Sequence, residues 1–244
     1  MKILKVISVL MTYPEQAVRD HRNELLDVIE SSLSLTIAQQ RALIGLVDEL
    51  TKQPLLDLQE SYTELFDKGR ALSLLLFEHV HGESRERGQA MVDLMGVYQK
   101  EGFEIDVREL PDYIPLFLEY LSRQTEDKAC RWLGEMAHIL GRLAARLQQR
   151  GSVYHVLFDV LLDLATDKVD MEEIKAAVSK EKRDDSPEAL DKIWEEEAVT
   201  FGGDSVSGGC PTGTKPELNQ QVDAPHRPQP VKWVNASPAQ ASGL

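Results

Sequence analysis

Apolar positions along the first 201 residues recur at helical spacing rather than strand spacing. Between Thr36 and Thr51, the residues Leu43, Leu46, Val47 and Leu50 fall at i, i+3, i+4 and i+7, which is one face of a helix. Thr36 and Gln39 stand at the spacing of a capping box at its start. Trp132, Met136, Ile139, Leu140, Leu143 and Leu147 predict one long helix with a single buried stripe. Val153, Leu157, Val160, Leu161 and Leu164 predict another. Asp170 with Glu173, and Ser186 before Pro187, mark further helix starts. Alternating patterns are nearly absent and no paired turn signals point to hairpins. The chain therefore reads as all-α, a compact helical bundle of about ten helices joined by short connections.

The pattern stops after Phe201. Residues 202–244 hold six of the 11 prolines and six of the 15 glycines, with Ser, Thr and Asn between them. A stretch of this composition without an apolar period buries too little to fold, so it reads as a disordered tail behind a helical domain at 1–201. Its charges cancel, Asp204, Glu217 and Asp223 against Lys215, Arg227 and Lys232, so the whole net charge of −14 lies on the helical part.

That charge narrows the function classes. A surface this acidic repels phosphate, which counts against nucleic acid and anionic membranes and favours a basic partner. The opening MKILKVISVLM pairs lysines with an apolar run, but Lys5 and Ser8 interrupt it and Tyr13-Pro14-Glu15 follows where a cleavage site would need small residues. It reads as a short amphipathic helix. The longest apolar run, at 71–77, is far short of the roughly 20 residues of a membrane span. Cys130 and Cys210 are far apart, so they make neither a disulfide framework nor a zinc knuckle, and a reducing compartment fits. The expectation is a soluble cytoplasmic protein without membrane insertion.

Few arrangements of chemistry survive inspection. Glu78 with His81, and Glu135 with His138, repeat the Glu-x-x-His spacing of di-metal helical bundles. His138, however, falls roughly 200° around the helix from Met136, on the face that Glu135 and Arg142 keep in solvent. The first pair ends at Gly82, a helix stop. His79 and His81 are two apart, so a helix aims them in different directions. Gly82-Glu83-Ser84 is no nucleophile elbow, Cys130 reads as a structural thiol, and the tail glycines precede no helix that would cradle phosphate. The residues thus predict no enzyme, no metal and no cofactor of the chain's own. A metal-dependent helical-bundle oxidase built on the Glu-x-x-His pairs, and an acidic adaptor with some other client, are the competing readings.

One region stands apart. YTELFDKGRALSLLLFEHVHGESRERGQAM, residues 62–91, runs from apolar Leu72–Phe77 into a dense polar cluster, and ELPDYIPLFLEYL, residues 109–121, places two prolines near a helix start with aromatics behind. A junction that combines apolar surface with charge suits a bound peptide. The first segment resembles the signature stretch of the NarJ-type nitrate reductase assembly chaperones. The second is similar to the Glu-x-Pro-Asp-His helix start of the wider TorD-like maturation chaperones, with Tyr113 standing where many relatives carry His. The opening helix running into Tyr13-Pro14, and RDDSPEALDKIWEEE at 183–197, resemble NarJ-type members as well. The likeness covers roughly 1–201.

The resemblance implies a TorD-like all-helical chaperone without catalysis. Such a protein binds the apo catalytic subunit of respiratory nitrate reductase, partly through its N-terminal twin-arginine-like leader, and releases it once the molybdenum cofactor is in. A basic amphipathic leader would complement an acidic helical protein, with apolar burial supplying affinity and charge supplying register. Family analogy and composition together place the leader near Tyr62, Phe66, Phe77, His79, His81, Glu83, Asp112 and Glu119, carboxylates meeting basic residues and aromatics forming the floor.

Overall fold

A computed structural model describes residues 1–82, 84–105, 109–186, 188, 189 and 191. They all belong to one unit, Met1–Val199. The expected boundary at 201 and the expected tail at 202–244 lie outside the described residues, as does Glu83.

The opening helix is the centre of the protein. α1 (Lys2–Met11) buries Ile3, Leu4, Val6, Ile7, Leu10 and Met11, and even Ser8 is covered. Apolar side chains on so much of its circumference demand cover on several sides. α3 (Arg22–Glu30) lies on one side of it and α8 (Ile114–Ser122) on the other. The small Ser8 lets α8 approach, and its hydroxyl donates to the Pro115 carbonyl at 2.7 Å. Pro115 stands in the first turn of α8, where the missing N–H costs nothing. A short helix, α2 (Gln16–Asp20), follows α1 and buries none of its residues.

α4 (Ile37–Lys52) starts at the expected capping box, Thr36 and Gln39 each bonding the other's backbone, and buries the expected Leu43, Leu46, Val47 and Leu50. α5 (Leu55–Phe66) buries Leu58, Tyr62 and Phe66. After the connection at 67–75, α6 (Leu76–His81) ends at Gly82 with φ +55°, a left-handed conformation that favours glycine, and α7 (Glu86–Lys100) packs against α6.

The predicted long helix through Met136 is two helices, α9 (Glu126–Glu135) and α10 (Ala137–Gln149), hinged at Met136 with φ −95° and ψ 0°. The break has a cause in packing. Thr166 donates its N–H to the Cys130 carbonyl at 3.1 Å, and a Cβ on Gly134 would lie 2.5 Å from the Thr166 hydroxyl, so the last turn of α9 is pressed against the 166–167 backbone. α10 then packs on α11 (His155–Leu164) and α12 (Met171–Val178), the latter capped by Asp170 as expected. α11 reaches back to α4 and α9, closing the bundle. The described residues hold 12 helices and no strand, against the expected ten or so. None of these helices is long and apolar enough to cross a membrane.

Candidate functional site

The apolar run at 72–77 starts in a turn and passes through an extended Leu75 before it becomes helical. Leu72, Leu74 and Leu76 are buried, and Leu75 pairs antiparallel with Tyr113. Ile114 N–H donates to Leu74 O at 2.8 Å and Leu76 N–H to Asp112 O at 3.0 Å. The Asp112 carboxylate, fully buried, accepts from Phe77 N–H at 3.1 Å and so holds the first turn of α6. Its other oxygen has no partner among the described residues. Burial pushes the Asp112 carboxyl above the usual range, only partly opposed by the Phe77 N–H.

His79 Nε2–H donates to the Ser73 carbonyl at 2.8 Å, which ties α6 to the extended stretch before it. Burial lowers its pKa, and the Ser73 bond works the other way. His81 packs edge-on against Phe77, ring centres 5.8 Å apart, and sits 3.8 Å from Glu86. Glu78 pairs with Arg87 at 3.1 Å across the α6–α7 turn. The two histidines therefore face separate partners. Glu135 and His138 are both exposed. No group of three metal-binding side chains forms among the described residues. Burial and the carboxylates of Glu126 and Asp127 push the Cys130 thiol up, away from reactive thiolate.

Tyr62 and Phe66 are buried in an aromatic cluster with Tyr154 and Tyr13, ring centres 4.7 to 6.1 Å apart. The Tyr62 hydroxyl donates to Met11 O at 2.9 Å and interacts with the Tyr113 hydroxyl. Glu119, on α8, pairs with Lys5 of α1 at 2.7 Å.

The open concave surface lies beside these residues. A cleft of about 560 Å³ is bounded by Val9, Tyr13, Val18, Leu25, Glu109 and Tyr113. A second of about 180 Å³ continues it toward Lys5, Pro115, Leu116 and Glu119. Val9, Thr12, Glu109 and Tyr113 line both, so together they make a groove along the uncovered edge of α1. Its walls are mainly apolar and aromatic, with Thr12, His21 and the Lys5–Glu119 pair among them. Glu15 and Glu109 on its rim are exposed and make no ion pair among the described residues. Such a surface takes a peptide with apolar side chains and positive charge.

Of the residues expected at the site, Glu119 lines this groove directly and Tyr62 supports its Tyr113 wall from behind. Phe77, His79, His81 and Asp112 gather at α6, one antiparallel pairing away from Tyr113. Tyr62, Phe66 and Asp112 are buried and do not line the groove. The reading of the sequence passed over Val9, Thr12, Glu15, Val18 and Leu25. The signal available for them was Tyr13-Pro14, a break straight after a strongly apolar helix, which leaves part of that helix uncovered.

The model of the family described as "Nitrate reductase delta subunit" matches residues 17–159. The chain is 48% identical over 205 residues to the nitrate reductase molybdenum cofactor assembly chaperone NarJ of Escherichia coli K12, covering 84% of this chain and 87% of that protein. It is 46% identical over 207 residues to the probable assembly chaperone NarW of the same organism, covering 85% and 87%. A probable NarJ of Bacillus subtilis is 34% identical over 103 residues, 42% of this chain and 56% of that protein. The chain belongs to the nitrate reductase delta subunit family, as one of its NarJ-type molybdenum cofactor assembly chaperones.

Proposed function

We propose that this protein is a cytoplasmic chaperone that binds the apo catalytic subunit of respiratory nitrate reductase, including its N-terminal twin-arginine-like leader. It keeps that subunit competent for molybdenum cofactor insertion and leaves before the final complex assembles. The observation that carries the reading is the likeness to a nitrate reductase molybdenum cofactor assembly chaperone along nearly its whole length. The groove along α1 supports it, because an apolar floor with free carboxylates on the rim matches a short basic amphipathic segment. Leader docking there brings in Glu119 by contact and Tyr62, Phe66 and Asp112 as support. Phe77, His79 and His81, with Glu83 outside the described residues, belong to the adjoining α6 end of the same surface. The helical domain at 1–201 carries this function, and the tail at 202–244 is dispensable for it.

Coexpression tests the reading. A tagged copy of this chain should retain the full-length catalytic subunit and lose much of it when the leader is deleted. Glu109→Lys should weaken binding of a synthetic leader peptide, and the wild-type affinity should fall as salt rises, since exposed charges are screened over about 8 Å at physiological ionic strength. Equal retention of full-length and leaderless subunit would remove the leader from the account.

A further inference from the structure

Residues 13–20 divide the groove from a smaller space beneath them. Val9, Thr12, Glu15 and Val18 line the 560 Å³ cleft outside and also a cavity of about 10 Å³ inside. The inner cavity has Leu10, Leu50, Leu58 and Tyr154 as its floor, and it is only large enough for about one water molecule. The dividing segment is lightly held. α2 buries none of its residues and packs extensively against no other helix among the described residues. Two side-chain bonds fasten it to the body, Arg19 Nη2–H donating to the Gln53 carbonyl and Gln59 Nε2–H to the Pro14 carbonyl at 2.8 Å, while Pro14 is buried, Val18 packs on the core and Tyr13 stands edge-on to Tyr62.

Two buried polar groups here, one beneath the segment and one on it, have no partner among the described residues. The Tyr154 side chain is almost wholly buried, only 5% exposed, and among the described residues its hydroxyl makes no hydrogen bond. The Arg19 Nε–H is buried and unpartnered as well. Buried polar groups are nearly always satisfied, and one left without a partner destabilises the state that contains it. The closed arrangement carries two such groups at the edge of an apolar cavity, Tyr154 OH beneath the segment and Arg19 Nε on it.

We propose that residues 13–20 are a flap over an inner part of the client groove, and that the Tyr154 hydroxyl beneath it binds the leader peptide. This rests on the leader-binding reading above. When the flap swings outward, the inner cavity joins the outer cleft, and Leu10, Leu50 and Leu58 become the floor for an apolar side chain of the leader. A peptide carbonyl then accepts from the Tyr154 hydroxyl, which burial keeps protonated. A second carbonyl accepts from Arg19 Nε–H. Glu15 travels on the flap and Glu109 stays on the opposite wall, so a basic residue of the leader is held between them. Because the binding-competent state is only part of the free population, the closed flap lowers the apparent affinity.

Calorimetric titration with a synthetic peptide of the leader tests this, with a melting curve for each protein. Tyr154→Phe removes one unpartnered hydroxyl, so it should melt at or above the wild-type temperature while binding the leader several-fold to about tenfold more weakly. Gln59→Leu cuts one tether of the flap and should bind the leader several-fold more tightly than wild type. Wild-type affinity in Tyr154→Phe overturns the proposal and leaves leader binding standing. A lower melting temperature for Tyr154→Phe also overturns it, because the hydroxyl then has a partner in the free protein. A wild-type chain that binds no leader overturns both this proposal and the function it rests on.

Discussion

α10 and α7 are of similar length and opposite character. α10 buries seven of its 13 residues, and its neighbours α9, α11 and α12 cover it on several sides. α7 buries only Leu94 and Tyr98 in 15 residues, leaves Val92 and Met95 exposed, and has open space at Gly88 and Gly96. Near it lie the unpartnered buried atoms Asp112 Oδ1 and Arg87 Nε. The bundle thus has a rigid body, where stability resides, and a loosely covered side at α6–α7 and the groove, where unsatisfied groups collect. Imperfect packing concentrated on one side is the pattern expected of a surface kept for a client, because a region that must move is drawn from the less stable part of a fold.

The contrast can be broken first by truncation. Leu140→Ala, at a fully buried position of α10, should cost about 2–5 kcal/mol, whereas Val92→Ala on α7 should stay within about 0.5 kcal/mol in denaturant unfolding. Similar losses at both sites would show that α7 is as integral as α10. Smaller is the effect at the junction. Asp112→Ala strips the Phe77 N–H of its partner and should cost about 1–3 kcal/mol, while Asp112→Asn keeps an acceptor there and should recover most of it.

Smaller again is a dependence on pH. Burial lowers the folded-state pKa of His79, so on acidification the unfolded chain takes up its proton first. Stability should be at its full value above roughly pH 6.5 and decline as pH falls below that toward the lowered folded value. His79→Gln should flatten that part of the melting-temperature profile. Insensitivity of the wild type from pH 7 to 5 would mean that His79 is free to charge in the folded protein.

The rigid body was legible in the sequence because its determinants are local. Thr36 with Gln39, Asp170 with Glu173, and the Leu43–Leu46–Val47–Leu50 face each announce a helix within a few residues, and each is found. What escaped depended on distant partners. The break at Met136 follows from Thr166 bonding to Cys130, and the extended backbone at Leu75, ahead of α6, follows from its pairing with Tyr113. A run of leucines is equally compatible with a buried helix and a buried extended segment, so periodicity alone cannot separate them. The site was legible in part for the same reason. The polar cluster at 78–87 and the Pro-Asp turn stand out in sequence, whereas the groove is made by residues of α1, 13–25 and 109–119 that only the fold assembles.

The proposed function is to prepare the catalytic subunit of nitrate reductase for its molybdenum cofactor. The direct measurement is the molybdenum content of that subunit, purified from nitrate-respiring cells with and without this protein. In its absence the catalytic subunit should accumulate largely free of molybdenum, and the wild-type chain should restore it. A full complement of molybdenum in cells lacking the protein would contradict it.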